Sequence, residues 1–322
     1  MPRIRQNIVT GEWSVVAPER AKRPDEFAMR PFTSTVLHDK NCSFCVGGEV
    51  WQTRIKEVEN RYIYVIPNKF PAFLPEISLE TTGHNFYADS ASVGTHEVVV
   101  MCNPKHTLPL ITPKITYELL KVLQNRARVY ERDATIQSVT PIYNHGHEAG
   151  TSVAHPHAQS FANAIIPPRL AHEFFGAEQY YNKHQKCVFC QMIKFELKDN
   201  ERIIVNDDGA IAFVTYAPRF PFETHIVPKH HDHSFAHASP ASLIDTAHTL
   251  TAVLHQLAKK LHDPPLNWYI HTSRHIDHHL QSSYHWHIEI TPRLTTYGGY
   301  ELASDMIIET VLPEVAAEFL HS

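Results

Sequence analysis

The 322-residue chain has no run of about 18 apolar residues, the minimum for a helix that crosses a bilayer, so a membrane-spanning helix is excluded. It also lacks an excess of positive charge: 29 Lys and Arg stand against 34 Asp and Glu, a formal net charge of -5. A general nucleic-acid binder needs a net basic surface, so that class is excluded too, and any anionic substrate must be held by a local cluster. The opening Met1-Pro2-Arg3-Ile4-Arg5-Gln6 has no apolar core of the signal-peptide kind. The expectation is a soluble, cytoplasmic protein. Cysteine is scarce, at five residues, but two pairs are regularly spaced: Cys42-x-x-Cys45 and Cys187-x-x-Cys190, with Cys102 alone. Outside an oxidising compartment such pairs read as metal binding or redox before disulfide, and Cys102 as a small buried apolar residue. A hydrophobic content of 43% is ample for a packed core, in two domains or one large one.

What is abundant is histidine, 25 residues, and the stretch that organises the chain is His155-Pro156-His157-Ala158-Gln159. A strand throws residues i, i+2 and i+4 onto one face, so two imidazoles and an amide converge there. Pro156 cannot donate to a sheet ladder, which points to an edge strand or a strand end. An isolated His-x-His in so histidine-rich a chain is weak evidence, and the rest of the sequence decides its weight.

The chain repeats itself. Cys42-Ser43-Phe44-Cys45 runs into the tight-turn residues Val46-Gly47-Gly48; strand patterns follow at 62–66 and 96–101, then Asn103-Pro104-Lys105-His106. A helical period covers 114–133, with Leu119, Leu120, Leu123 and Val129 recurring. Ile142-Tyr143-Asn144 and a loop of small and polar residues, 145–152, lead to the His-Pro-His segment. In the second half, Cys187-Val188-Phe189-Cys190 is followed by strand patterns at 202–205 and 210–216, then Pro228-Lys229-His230-His231. A helical period over 240–261, Trp268-Tyr269-Ile270-His271, and Tyr284-His285-Trp286-His287-Ile288-Glu289 complete the second copy.

Each half thus offers Cys, Cys, His and His in the same order, the donor set of a closed structural zinc site. The expected ligands are Cys42, Cys45, His106 and His155 for the first site, and Cys187, Cys190, His231 and His285 for the second. Redox dithiols beside unrelated histidines are the competing reading, and His230 is the rival of His231. With His155 tied to metal, His157 is held with its ring available. A neutral imidazole can attack phosphorus and divide a transfer between two anions into two steps. Donors should then surround the phosphate. Gln159, Ser152, the loop amides at Gly150 and Thr151, and the cations of Glu19-Arg20-Ala21-Lys22-Arg23 are candidates, although the last also reads as a solvated basic turn.

At these residues the chain resembles the histidine-triad superfamily, and within it the galactose-1-phosphate uridylyltransferase family, nearly end to end. The carrying motifs are Pro18-Glu19-Arg20-Ala21-Lys22-Arg23-Pro24, Cys42-x-x-Cys45, Pro67-Asn68-Lys69-Phe70-Pro71-Ala72, His106, Asn144 through Gly150-Thr151-Ser152 to His155-Pro156-His157-Ala158-Gln159, and Gly298-Gly299-Tyr300-Glu301. The resemblance implies that His157 is uridylylated by UDP-glucose, releasing glucose 1-phosphate, and that galactose 1-phosphate then leaves as UDP-galactose. It implies phosphate contacts for Ser152 and Gln159, a sugar-phosphate clamp at Arg20 and Arg23, nucleotide contacts at Asn68 and Asn144, and hexose contacts at Tyr300 and Glu301 across a homodimer interface. Three departures stand out. Lys69 occupies the place of an acidic residue, Thr295 that of a lysine near the hexose, and the second Cys-x-x-Cys is similar to a two-zinc subgroup that includes ADP-glucose phosphorylases. Glu173 aligns with a metal-binding glutamate of other members, so a second site of Glu173, His285 and His287 is the alternative ligand set, and iron is the alternative to zinc as the second-site metal. His287 otherwise reads as a satisfied sheet histidine.

The expected fold is α+β: two histidine-triad-like halves, 1–170 and 171–322, each an antiparallel sheet with a long helix, joined face to face. One catalytic site is expected, in the first half, because the loop 276–283 before His285 lacks glycine. The leading expectation is a hexose-1-phosphate uridylyltransferase acting through a nucleotidyl-His157 intermediate. The alternatives are an ADP-sugar or dinucleoside-polyphosphate phosphorylase and, in another class, a zinc-stapled nucleotide-binding module without turnover.

Overall fold

The computed structural model describes residues 1–20, 42–58, 60–75, 81–84 and 86–321. In chain order the strands are β1 (Arg3–Gln6), β2 (Trp13–Val16), β3 (Ile63–Pro67), β4 (Thr81–His84), β5 (Tyr87–Ser90), β6 (Gly94–Met101), β7 (Ser138–His145), β8 (His157–Asn163), β9 (Ile203–Asn206), β10 (Ala210–Val214), β11 (Thr224–Pro228), β12 (Leu266–His271), β13 (His287–Pro292) and β14 (Ile307–Glu309). The helices are α1 (Pro113–Tyr130), α2 (Pro168–His184), α3 (Val188–Asp199), α4 (Pro240–Lys260), α5 (Gly299–Ser304) and α6 (Pro313–His321).

Both long helices of the repeat begin with a hydroxyl cap followed by proline. The Thr112 hydroxyl accepts from the Ile115 amide at 3.5 Å before α1, and the Ser239 hydroxyl from the Ser242 amide at 3.1 Å before α4. Proline at the first helical position sacrifices only an amide that has no intrahelical partner. Leu119, Leu120 and Leu123 face the core as the period requires, but Val129 is solvent-exposed. The buried stripe has drifted to Arg126, Ala127 and Tyr130 by the last turn.

Nine strands form one continuous sheet in the order β3-β6-β8-β7-β12-β13-β11-β10-β9. Every pairing in it is antiparallel. The order β3-β6-β8-β7 of the first half is reversed in β12-β13-β11-β10, so two copies of one four-stranded unit meet at β7 and β12. The expectation of halves joined face to face is therefore corrected: they join edge to edge, Asn144 opposite Asn267 and Tyr143 opposite Trp268. Pairing the two exposed edges satisfies amides and carbonyls that would otherwise await water or another chain.

α1 and α4 cover one face of the sheet, side by side, with the Thr116 and Thr251 hydroxyls 2.8 Å apart in the buried seam. Val99, Met101 and Ala158 from the first half, and Ala212, Ile226 and Ile288 from the second, pack beneath them in a single core. Alternation sends the intervening residues to the opposite face. There Tyr64, Ile66, Val98 and Val100 meet Phe44, Val50 and Trp51, while Ile211, Phe213 and Val227 meet Ile193 and Met192 of α3. His157 and Gln159, out of phase with Ala158, point to this second face. The strands of both halves are consequently buried on two sides, which explains apolar runs such as Val98-Val99-Val100. α1 is also tied to β6 by a two-bond fork from Arg126 to Glu97, at 2.8 and 2.7 Å.

β1, β2 and β14 make a separate small sheet, β14 running parallel to β2. Within it Glu309 is fully buried, its Oε1 accepting from the Val311 amide at 2.7 Å, and burial pushes its carboxyl up to about 8. A raised carboxyl contributes stability that is complete below its unfolded value, about 4.3, and is lost as pH rises through about 8. Glu309→Gln keeps the acceptor and removes the ionisation. Urea unfolding at pH 5 and pH 8 should show the wild type losing stability between them by at least about 1 kcal/mol more than the variant; equal losses would mean that Glu309 is already ionised in the folded protein.

Candidate active site

β8 starts at His157, and Pro156 lies just outside it, its carbonyl accepting from the Met101 amide at 3.1 Å. Of the two places open to Pro156, the strand end is the one occupied, since β8 is interior to the sheet. His157 is buried, its Nδ1 lies 2.7 Å from the His155 carbonyl, and Phe44 stands edge-on at 5.2 Å. A carbonyl can only accept, so Nδ1 carries the hydrogen and the lone pair is on Nε2. Burial holds the imidazole below its ordinary value, only partly opposed by that carbonyl, which keeps the ring neutral and nucleophilic at pH 7.

Two residues along, the Gln159 Oε1 is 2.7 Å from Nε2 of His96. The Ala72 amide donates to Nδ1 of His96 at 3.3 Å, so Nε2 is the protonated nitrogen and donates to Gln159. This turns the Gln159 amide with its NH2 away from His96. His96 stacks on Phe161 at 4.0 Å and also lies 3.0 Å from the Asn68 side-chain amide, whose Oδ1 accepts from the Phe70 amide. His96 thus hydrogen-bonds one expected site residue, Gln159, and sets its Nε2 against the Nδ2 of another, Asn68, and sequence reading assigned it nothing. The available signal was alternation: His96 shares a strand face with Val98, which sits opposite Gln159.

The loop before the motif is built by glycine. Gly146 has φ +84°, and a Cβ there would lie 2.7 Å from Pro265. Gly150 has φ +88°, a left-handed turn that lets the Thr151 amide reach the Gly146 carbonyl at 3.2 Å. Ser152 and Gly150 are exposed, and the Thr151 hydroxyl is buried without a hydrogen-bond partner. Asn144 is oriented by Asn267, whose Nδ2 donates to its Oδ1 and to the Ala149 carbonyl, both at 2.8 Å. Arg20 is exposed at the end of a 3-10 turn, Pro18–Arg20, and Arg23 lies outside the described residues. Tyr300 is half exposed on α5, where the Glu301 carboxylate accepts from the Gly298 amide at 2.9 Å.

Two thiol–imidazole clusters flank the sheet. In the first, the sulfurs of Cys42 and Cys45 lie 3.4 and 3.7 Å from Nδ1 of His155, whose Nε2 donates to the Met101 carbonyl at 2.6 Å. That bond fixes the tautomer that leaves Nδ1 as the donor toward a metal. His106 is not part of this set; its ring contacts Asn103, and its Nδ1 is buried without a hydrogen-bond partner. In the second cluster, ligand atoms of Cys187, Cys190, His231 and His285 all lie within 4.8 Å of one another. The Cys190 sulfur is 3.3 Å from Nδ1 of His231 and 3.7 Å from that of His285, while Nε2 of His231 donates to Gln281. The hydrogen bond between the two thiols holds Cys190 below the ordinary thiol range and pushes Cys187 up. Two sulfur and two nitrogen donors in this arrangement can hold a metal ion, and His231 takes the place for which His230 was the rival.

Glu173 belongs elsewhere. It groups with His271, His287 and Glu289 rather than with His285, so the alternative set of Glu173, His285 and His287 does not assemble. The strand registers explain this second cluster. Ile270 lies opposite Ile288 as Tyr143 lies opposite Ala158, and His225 lies opposite Glu289 as Val98 lies opposite Gln159. Hence His287, Glu289, His271 and His225 occupy the positions of His157, Gln159, Asn144 and Val98. Here the space in front of the strand is filled by protein charge. Arg169 and Arg219 reach Glu289 at 3.4 and 2.6 Å, Tyr269 donates to it at 2.7 Å, and His271 reaches Glu173 at 2.9 Å. Burial alone would raise Glu289, but the two guanidinium groups hold it well below the carboxylate range. His287 is drawn up toward its charged form by Glu289 and Glu173 against the cost of burial. An imidazolium has no lone pair to offer phosphorus. Removing Glu289 would leave the half-buried Arg169 and Arg219 without their shared, fully buried carboxylate. Glu289→Ala should therefore destabilise the fold by about 3–5 kcal/mol in urea unfolding, and a loss under about 1 kcal/mol would show that the charges find water instead.

Comparison with known proteins gives a consistent result. The family model for the N-terminal domain of galactose-1-phosphate uridyl transferase matches residues 1–167. The chain is 29% identical to the ADP-glucose phosphorylase of Arabidopsis thaliana, over 99% of this chain and 92% of that one. It is 25% identical to the galactose-1-phosphate uridylyltransferase of Thermotoga maritima, over 100% and 98%. The crystal structure of an Arabidopsis thaliana ADP-glucose phosphorylase with bound ADP-glucose aligns over 100% of this chain and 98% of its own, with TM-score 0.83 and 26% identity. With a buried neutral imidazole, an oriented amide and two cysteine–histidine clusters on the sheet these proteins share, the chain belongs to the galactose-1-phosphate uridyl transferase family and is an enzyme of the nucleotidyltransferase type.

Proposed function

We propose that the protein is a hexose-1-phosphate uridylyltransferase that exchanges UDP-glucose and galactose 1-phosphate through a covalent nucleotidyl-His157 intermediate. The observation that carries this reading is the Nδ1 hydrogen bond of His157 to the His155 carbonyl, which leaves a neutral Nε2 lone pair beside the Gln159 amide. In the first step Nε2 forms a bond to the α phosphorus, the bond from that phosphorus to the bridging oxygen breaks, and the hexose 1-phosphate leaves. In the second, a phosphate oxygen of the acceptor attacks the same phosphorus and the P–N bond breaks, restoring neutral His157. Both steps bring anions together, and donors preoriented around the phosphate lower that barrier. The Gln159 NH2, the Ser152 hydroxyl and the amides of Gly150 and Thr151 serve that role, with Arg20 and Arg23 clamping the sugar phosphate. Asn68 and Asn144 take the nucleoside side. Tyr300 and Glu301 reach the hexose of a partner's site in a homodimer, and the protein works in the cytoplasm. The chemistry lies in the half spanning 1–170, with 171–322 as its non-catalytic copy.

The metal reading is two structural zinc ions per chain. Cys42, Cys45 and His155 hold the first, and His106, which lies outside that set, completes it by moving its orphaned Nδ1 inward; Cys187, Cys190, His231 and His285 hold the second, where iron is the alternative. A closed four-ligand site leaves no open position for substrate, so each ion braces the backbone, the first by fixing His155 and through it His157.

A second reading keeps the intermediate and changes the partners: an ADP-sugar phosphorylase, with inorganic phosphate as acceptor. Its support is the likeness to the Arabidopsis ADP-glucose phosphorylase along nearly the whole chain, together with Lys69 and the second cysteine pair.

Intact-protein mass spectrometry after mixing with UDP-glucose, and separately with ADP-glucose, decides between them. A uridylyl adduct discharged by galactose 1-phosphate is expected; an adenylyl adduct discharged by phosphate would replace the first reading with the second. His157→Ala should form neither adduct and lose about 10⁴-fold or more in kcat; retained turnover would refute both readings. Elemental analysis should give two zinc ions per wild-type chain and one in Cys187→Ser, with a lowered Tm, whereas an unchanged metal content in that variant would remove the second site.

A further inference from the structure

The pseudo-symmetry that supplies a non-catalytic copy of the His157 site also leaves part of that copy open. Ile66 lies opposite Val98 in β3 and β6, and Phe213 lies opposite His225 in β10 and β11. The Asn68 amide donates to the His96 carbonyl at 2.9 Å, and the Thr215 amide to the Glu223 carbonyl at 3.0 Å. Phe213, Thr215 and His225 are therefore the counterparts of Ile66, Asn68 and Val98, the residues beside Gln159. In front of them is a cavity of about 730 Å³. Met192 and Phe195 of α3 and Tyr216 form its apolar walls, and Lys194 and Lys198 stand at its rim. That volume is in the range of small-molecule sites.

Four buried polar atoms of the lining residues have no partner: Oε2 of Glu196 and Nε of Arg202, in the pair these two side chains make with each other, and two more beside the sheet. The Thr215 hydroxyl and Nδ1 of His225 make no hydrogen bond, although each residue is only 6% exposed. Nε2 of His225 lies 3.1 Å from the Glu289 carboxylate, and in the tautomer with its hydrogen on Nε2 the orphaned Nδ1 is an acceptor for an N–H group. Unsatisfied groups of this kind cost about 1–3 kcal/mol each, a cost that a ligand removes by pairing them. Toward the sheet centre, where a phosphate would have to sit in order to react, Glu289 and its guanidinium partners close the space.

We infer that this cavity is a second, non-catalytic binding site for a nucleoside monophosphate. The base enters first, its N–H edge meeting His225 and Thr215, its ring lying against Phe213 and Phe195, and its phosphate pointing outward to Lys194 and Lys198. Planar rings bury apolar area at little entropic cost, and the orientation keeps the anion away from Glu289. The site goes beyond the transferase reading, since it needs neither His157 nor a covalent step.

Calorimetric titration of the full-length protein with AMP and with UMP tests it. At least one nucleotide should give two binding events per chain. Thr215→Val, nearly isosteric, and Phe195→Ala, at an exposed position that leaves the core intact, should each weaken one event at least tenfold. The other event, and adduct formation at His157, should be unchanged. A single event per chain with both nucleotides, or two events that neither variant alters, would overturn the inference. Two events in a protein that forms no adduct would count against the transferase reading and leave this site standing.

Discussion

The backbone and side chain of one residue, His155, hold the candidate site together. Its Nε2 is pinned to the Met101 carbonyl of the neighbouring strand, its Nδ1 faces the two thiols of Cys42 and Cys45, and its own carbonyl takes the proton-bearing nitrogen of His157. A ring fixed at one nitrogen presents the other in a defined direction, and a backbone fixed by that ring presents its carbonyl in one place. The tautomer of His157 follows from this chain of contacts. The cysteine knuckle also reaches His157: Phe44, between its two cysteines, supplies the edge-on ring against it.

The same strands carry a second arrangement with opposite electrostatics. Where the first half has an amide, an asparagine and a valine around its histidine, the second has Glu289, His271 and His225, and two arginines complete the set. A buried carboxylate without those arginines would cost several kcal/mol, so the charges are held as a group. Solvating Glu289 from within the protein fills the place a phosphate would take and draws His287 toward the imidazolium form. The two halves share the scaffold, a cysteine–histidine cluster and the Nδ1 bond to the carbonyl two residues back, and differ in the side chains around the histidine. The outer part of the copied cleft, lined by Phe213 and Thr215, is not filled by the Glu289 cluster and stays open.

Much of this was legible in the residues. Local signals travel a short distance along the chain: the spacing of two cysteines, the alternation that puts His155, His157 and Gln159 on one face, a hydroxyl cap with proline ahead of each long helix. Because they occur twice in one order, the repeat, the α+β class, the cysteine-paired histidines of the second cluster and the pointing of His157 could all be read before any coordinates. The left-handed glycine at 150 belongs to the same class, since a turn that needs positive φ selects glycine wherever it occurs.

What the linear chain could not reveal depends on pairings between residues far apart in it. Whether two half-sheets stack or share an edge is decided by which backbone groups find partners, and only the register of β7 against β12 shows that they share one. His96 reaches Gln159 across 63 positions, and Arg169 reaches Glu289 across 120, contacts that leave no trace in local composition. Glu173 was the alternative partner of His285 at a metal; the fold sent it to His271 because α2 lays it over the buried end of β12. The sequence by itself determined which chemistry-bearing residues exist and how each presents along its own strand. The tertiary structure decided which of them meet, since burial and long-range pairing set whether an imidazole is held in its neutral form, as at His157, or drawn toward its charged form in a closed ionic cluster, as at His287.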